Sequence, residues 1–453
     1  MSIKFWKHQL KTIAYAESRE RWYNASDPGT GKTLAILGYI AKHNLKSLIL
    51  APKTLLEPAW LADWKKILPE DEVTIAWASN REKAFNLGTP SVITNIEAVN
   101  WLAKRENLHH LRRFDLVVCD EATAFRVPSS MRSKNARGVF DRVPKAICMS
   151  GTPRVSSVQD LWHQYFLLDH GQRLGPSITR FRYRFCKPFR PPGAPQGVIK
   201  WLDRDGAMDE VAELVADITL RFRIDECLDI PPNHVEYLPA KLSPKLHKAY
   251  DTLAKESRVL LASGEKVDLL VLNGLRNKLL QLCSGAVYTG DGEAGLVSDE
   301  RYELTADLID AREASVVFFV WRHQREGMER ALKKRKLPYA VIDGTVNRSE
   351  RGRLVEEFQK GKYRAILLHP ATGAHGLTLT RAKTVIFTCP PADRPDWMEQ
   401  GIARIVRGGQ DSKTETILLY APGTLERSVY EAIQSNCDVN ETFVNYLQKL
   451  GGA

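Results

Sequence analysis

The chain has 453 residues, of which 43% are hydrophobic and 26% charged, and its 65 Lys and Arg against 54 Asp and Glu give a formal net charge of +11. Such a composition excludes a disordered chain, and no apolar run approaches the roughly 18 residues a membrane-spanning helix needs, so no membrane partner is expected. The length exceeds what one core holds, which predicts two domains, and the basic excess favours a polyanionic partner such as nucleic acid.

The opening "MSIKFWKHQLKTIAYAESRE" is amphipathic and interrupted by charge, unlike an export signal. The first chemical motif is "SDPGTGKT", Ser26 to Thr33, a G-x-x-x-x-G-K-[ST] phosphate loop with serine in place of its first glycine. Backbone at Asp27, Gly29, Thr30 and Gly31 can wrap phosphate oxygens, and "TLAILGYIAK" supplies the helix N-terminus that favours an anion. Lys32 would reach the β and γ phosphates and Thr33 would hold Mg²⁺. The bland alternative is an ordinary glycine-rich turn.

"SLILAP", "SVITN", "DLVVCDEA" and "KAICMSGTP" then read as strands separated by helices, which predicts an α/β parallel sheet. "DLVVCDEAT" delivers Asp120 and Glu121 at a strand's carboxyl end, where such sheets bind ligands. Asp120 can bind Mg²⁺ through water and Glu121 can orient the attacking water, or the pair can simply cap the next helix. His109 and His110 have no partners at metal-ligand spacing and are expected on the surface.

Residues 161–310 read as mostly helical, broken at "RPPGAPQG" and "DIPPN". Within them "TRFRYRF", Thr179 to Phe185, interleaves base and aromatic: either bases stack on it, or Phe181 and Phe185 pack inward at i, i+4. A second strand set, "SVVFFVW", "YAVIDG", "RAILLH" and "TVIFTCPP", predicts a second α/β lobe. Late in the chain "EQGIARIVRGGQ" places Arg404 and Arg407 three residues apart, which alone reads as a solvated basic face. The expected organisation is a first lobe at 1–160, a helical bridge at 161–310, a second lobe at 311–425 and a helical tail at 426–453. The seven cysteines form no C-x-x-C pair, and Cys119, Cys148 and Cys389 lie in apolar runs, so a reduced cytoplasmic setting without zinc is expected.

With DPGTGKT, DEAT, SGTPR and the arginine segment in this order, the chain resembles superfamily-two helicase-like ATPases, and more narrowly the Swi/Snf-type double-stranded DNA translocases. "APKTLLEPAWLADW", "LRFRIDECLDIPP", "LRNKLLQLCSGAVY", "YAVIDGTVNRSERGRLVEEFQ", "ATGAHGLTLTRAKTVIF" and "QGIARIVRGGQ" extend the resemblance over nearly the whole chain. It implies two RecA-like lobes with helical insertions. It further implies that Arg407 is an arginine finger facing ATP held by the other lobe, with Arg404 beside it and Gln400 shaping the same helix start. Gln9 would read adenine, Ser150 and Thr152 would couple phosphate state to DNA grip, and Gly376 and Thr378 would lie between DNA and the cleft. DNA-backbone contacts with little sequence specificity would come from Lys53, Thr54, Thr94, Asn95, Arg322, Asn347, Arg348 and Thr378. The chain departs from the family at Thr123, at Val406 between the arginines, and at Val320 and Trp321, which bears on coupling rather than on ATP binding.

The implied activity is an ATP- and Mg²⁺-dependent motor on double-stranded DNA, a monomer in the bacterial or, for a viral protein, host cytoplasm, with targeting supplied by a protein partner. A strand-separating DNA or RNA helicase shares the same core. An ATP-gated clamp with little turnover is the alternative from another class.

Overall fold

The structure is a computed structural model that describes residues 4–151, 153, 157–189, 199–227, 232–262, 269–286, 298–373, 377–406, 410–435, 437 and 439–449. The chain folds as two units, residues 1–189 with 201–229 and residues 190–200 with 230–453.

In the first unit the strands are β1 (Arg21–Asn24), β2 (Ser47–Ala51), β3 (Val73–Ala76), β4 (Ser91–Asn95), β5 (Leu116–Asp120), β6 (Lys145–Met149) and, beyond a small β7 (Cys186–Phe189) and β8 (Lys200–Asp203) pair, β9 (Thr219–Leu220). Their order is β3-β4-β2-β5-β6-β1-β9, and every pairing is parallel. The apolar runs explain the architecture: β2 and β5 are buried at every position, as strands covered on both faces must be. Parallel pairing then demands crossovers such as α2 (Lys32–His43), which follows β1, while α1 (Lys7–Glu17) precedes the sheet. Register opposes Asn24 and Asp120 to Met149, so the loops leaving β1, β5 and β6 emerge side by side.

In the second unit β10 (Asn233–Pro239), β11 (Ser315–Phe318), β12 (Tyr339–Ile342), β13 (Ala365–Leu368), β14 (Thr384–Phe387) and β15 (Thr414–Tyr420) form a second parallel sheet in the order β10-β15-β14-β11-β13-β12. The α/β class expected from the sequence is the class observed. The stretch 161–310 divides: helices Gln159–Asp169, Ile178–Phe185 and Ala207–Val215 belong to the first unit, and Pro244–Ala262, Leu269–Cys283 and Glu300–Asp310 to the second. The terminal helix Val439–Lys449 buries Val439, Phe443 and Leu447 in the second unit's core. Beneath β14, Arg301 and Glu426 form a bidentate pair at 2.7 and 2.6 Å with side chains 3% and 0% exposed. No helix among the described residues is long and apolar enough to cross a membrane.

Candidate nucleotide site

The loop after β1 turns through Gly29 (φ 87°) and Gly31 (φ 73°), left-handed values that a side chain would disfavour. Gly31 caps α2 and has no side chain to bond the first backbone N–H groups of that helix. Lys32 folds over the loop, its Nζ donating to Ser26 O at 2.6 Å and Asp27 O at 3.1 Å, and Thr33 follows it on the first turn of the helix. Thr30 is buried and donates Oγ1 to Asp27 O at 2.8 Å.

Both ends of this loop are held from outside. Gln9, 3% exposed, donates Nε2 to Gly31 O at 3.3 Å and accepts from Trp6 N at 2.9 Å, while His8 Nε2 donates to Thr30 O at 2.7 Å. A Cβ on Gly31 would stand 2.3 Å from Gln9 Nε2, so α1 rests directly on the loop. On the other side Ser26 Oγ accepts from Phe222 N at 3.1 Å, Asp27 N donates to Phe222 O at 2.9 Å, and Asp27 Oδ2 accepts from Ile224 N at 3.1 Å. Arg221 lies 3.7 Å from the other oxygen of Asp27, so this carboxylate is a latch to the segment after β9.

At the end of β5, Asp120 is 8% exposed and accepts from the Trp60 indole Nε1 at 2.9 Å. Glu121 stands at φ 59°, a left-handed conformation uncommon for a residue with a Cβ, and caps the short helix Ala122–Phe125. Ser150, fully buried, donates Oγ to Glu121 Oε2 at 3.2 Å and its backbone N–H to Asn24 O at 3.1 Å. The next residue, Gly151, touches the phosphate loop: a Cβ there would lie 2.6 Å from Cγ and Cδ of Pro28. Thr152 lies outside the described residues. One edge of the sheet thus gathers Gln9, the loop, Lys32, Thr33, Asp120, Glu121 and Ser150.

These residues fit a nucleotide with its cation. The loop offers backbone donors and a lysine, and Thr33 with Asp120 supplies only oxygen donors, which suits a hard divalent ion that keeps its waters and binds alongside phosphates. Among the described residues no group of three or more His, Cys, Asp or Glu forms an all-protein cage.

In the second unit Gln400 is 5% exposed, with Nε2 3.5 Å from Asp396 Oδ2 and Oε1 without a partner among the described residues. Arg404, 8% exposed, donates Nε to Gln400 O at 2.8 Å and a terminal nitrogen to Leu377 O at 3.4 Å. Gly376 and Arg407 lie outside the described residues, and Thr378 is exposed. Gln410, given no role from the sequence, is 5% exposed and donates to Thr380, Ala382 and Ile405 carbonyls at 3.1, 3.2 and 3.4 Å, clamping the arginine segment from its far end.

The nucleic-acid candidates separate. Lys53 is exposed and Thr54 half-buried on the turn after β2. Thr94 is corrected: its side chain is fully buried and donates Oγ1 to Ala76 O at 2.7 Å, because β4 pairs with β3 and turns it into the sheet. Asn95 accepts from Arg81 at 2.7 Å. Arg322 is exposed and ion-paired with Glu326 at 3.2 Å. Asn347 accepts from Glu350 N at 3.0 Å as the cap of helix Arg348–Gln359, which Arg348 opens. In "TRFRYRF" the packing alternative is the observed one: Phe181 and Phe185 are buried with centroids 4.7 Å apart, and only Tyr183 of its aromatics is exposed. His110 is also corrected, since it lies buried and stacked on Trp101 at 5.5 Å.

Sequence reasoning gave no role to Trp60 or to Phe222 and Ile224, although both stretches were quoted as motif. Their signal was present in "LLEPAW" and "LRFRID", but their contacts reach 60 and nearly 200 residues along the chain.

Two family models match the chain, the SNF2-related domain over residues 8–284 and the Helicase conserved C-terminal domain over residues 300–409. The "DNA annealing helicase and endonuclease ZRANB3" of Bos taurus is 26% identical over 98% of this chain and 41% of its own length. "Putative protein p41" of Acyrthosiphon pisum secondary endosymbiont phage 1 is 25% identical over 93% of this chain and 94% of its own length. The "Putative ATP-dependent helicase/translocase YwqA" of Bacillus subtilis (strain 168) is 24% identical over 93% of this chain and 46% of its own length. The chain spans about two fifths of the length of ZRANB3.

Proposed function

We propose, from the premise that this chain belongs to the SNF2-related family, that it is a DNA-dependent ATPase that hydrolyses ATP to move along double-stranded DNA. The observation that carries this reading is the convergence at one sheet edge of a lysine hooked over a glycine-turned loop and a left-handed Glu121 held by Ser150. On binding a nucleotide, Lys32 would exchange the Ser26 and Asp27 carbonyls for phosphate oxygens. Thr33 and Asp120 would hold Mg²⁺, which neutralises the developing phosphate charge. Glu121 would orient the attacking water, with Ser150 fixing which carboxylate oxygen faces it. Gln9, already against Gly31, would take the base. Arg407, by its place in R-x-x-R-x-G-Q, would meet the transition-state charge, with Arg404 and Gln400 shaping the segment that carries it.

Lys53, Thr54, Asn95, Arg322, Asn347, Arg348 and Thr378 are the proposed contacts to duplex backbone. The protein would act as a cytoplasmic monomer, with a partner protein supplying any targeting. The names of ZRANB3 and YwqA favour one second reading, a helicase that separates or anneals strands.

The test is steady-state phosphate release with ATP and Mg²⁺ in the presence of no nucleic acid, single-stranded DNA, duplex DNA or duplex RNA at one salt concentration. Strong stimulation by duplex DNA is expected, with Lys32→Ala lowering turnover by about 100-fold or more. Stimulation mainly by single strands moves the assignment to the helicase, and a fully active Lys32→Ala protein removes the nucleotide-site assignment.

A further inference from the structure

We infer that Trp60 is a positioning residue for Asp120, setting the direction in which that carboxylate faces the cation and tying it to the turn that carries Lys53 and Thr54. The inference rests on the nucleotide-site reading above.

After β2 the chain closes a turn in which Leu55 N donates to Pro52 O at 2.8 Å. It then winds through Leu56–Leu61 as a π-helix, with Ala59 N and Trp60 N both directed to Leu55 O at 3.2 and 3.0 Å. Such wide turns are rare and concentrate at functional sites, because they re-aim a side chain that a regular helix would place elsewhere. Here the re-aimed side chain is Trp60, fully buried, whose indole N–H can only donate and when buried requires an acceptor. That acceptor is one carboxylate oxygen of Asp120.

A carboxylate that holds Mg²⁺ through water must present one oxygen in a constant direction. A donor on Oδ2 restrains rotation of the group and so biases the direction in which the carboxylate faces the cation's shell. Partners of this kind alter metal affinity by roughly 10- to 100-fold. The indole sits seven residues beyond exposed Lys53, so movement of that turn is passed to the carboxylate through a short segment anchored by buried Leu55 and Leu56.

The test uses the full chain without DNA, binding fluorescently labelled ADP while Mg²⁺ is titrated. Trp60→Phe keeps an aromatic ring and removes the donor. Trp64→Phe is its control, because Trp64 is equally buried at 2% exposure in the next helix but donates to a backbone carbonyl, Asp71 O, at 3.3 Å. Trp60→Phe is expected to raise the Mg²⁺ concentration at half-saturation about tenfold, with binding in EDTA unchanged, while Trp64→Phe shifts neither. In ¹⁵N-labelled wild type, independently of how the variant folds, the Trp60 indole N–H resonance should move on adding Mg²⁺ and ADP while that of Trp64 stays. Equal midpoints for Trp60→Phe and wild type, equal shifts in the two variants, or a stationary Trp60 resonance overturns the inference. A wild type that binds ADP with no dependence on Mg²⁺ overturns the nucleotide-site reading and this inference with it.

Discussion

Gly151 and Gly138 show how differently the absence of one methyl group matters. At Gly151 an added Cβ meets the rigid pyrrolidine of Pro28 at 2.6 Å, so either the phosphate loop or the turn after β6 must shift. At Gly138, inside helix Met131–Phe140, the nearest atom is the mobile end of Arg142 at 3.7 Å. Gly151→Ala is therefore expected to cost about 1–3 kcal/mol and to weaken nucleotide binding, whereas Gly138→Ala gains up to about 1 kcal/mol of helix propensity and leaves binding alone. Thermal unfolding and titration of labelled ADP check both. The same scale shows what was legible. The glycines, Lys32, Asp120 and Glu121 stand in local patterns that the chain displays directly. Thr94 was misread because both faces of its strand are covered, so no alternation marks which side chains turn inward.

Among the elements, helices Glu300–Asp310 and Leu425–Gln434 are joined by the buried Arg301–Glu426 pair. Both partners make further bonds: Arg301 also donates to Thr388 O at 2.6 Å and Glu426 also accepts from Ala421 N at 2.7 Å. Glu426→Gln leaves a buried guanidinium without its counter-charge and is expected to destabilise the second unit by about 3–5 kcal/mol in urea unfolding. The double change Arg301→Met with Glu426→Leu should recover part of that loss, limited by the two backbone groups it orphans. Periodicity and apolar runs made most strands and helices readable. The β7–β8 pair was not, because half-exposed "CKPF" and "KWLD" carry neither a buried run nor a clear alternation. The arginine–glutamate pair was also hidden, its partners 125 residues apart with nothing local to announce them.

Across the whole molecule, each unit contains a buried imidazole, His163 in the first and His323 in the second, that is pushed down to about 4 chiefly by burial. Unfolded imidazoles take up protons near 6.5, so between there and about 4 the unfolded chain binds more protons than the folded one. Their contribution is complete above about pH 6.5 and is lost as pH falls toward 4, by about 3 kcal/mol for each unit. Calorimetry between pH 7.5 and 4.5 should show melting temperatures falling through this window, and His323→Gln should flatten the fall for the second unit alone. The latch between Ser26–Asp27 and Phe222–Ile224 bears on the order of events at the ribosome. Its partners are 196 and 197 residues apart, so the phosphate loop leaves the exit tunnel long before the segment that holds it. At roughly 5–20 residues per second the delay is on the order of 10–40 s, during which the nascent first unit has its glycine loop and the residues of α1 that hold one end of it but not the segment that latches the other. The loop is thereby held at both ends only once nearly the whole unit has been synthesised.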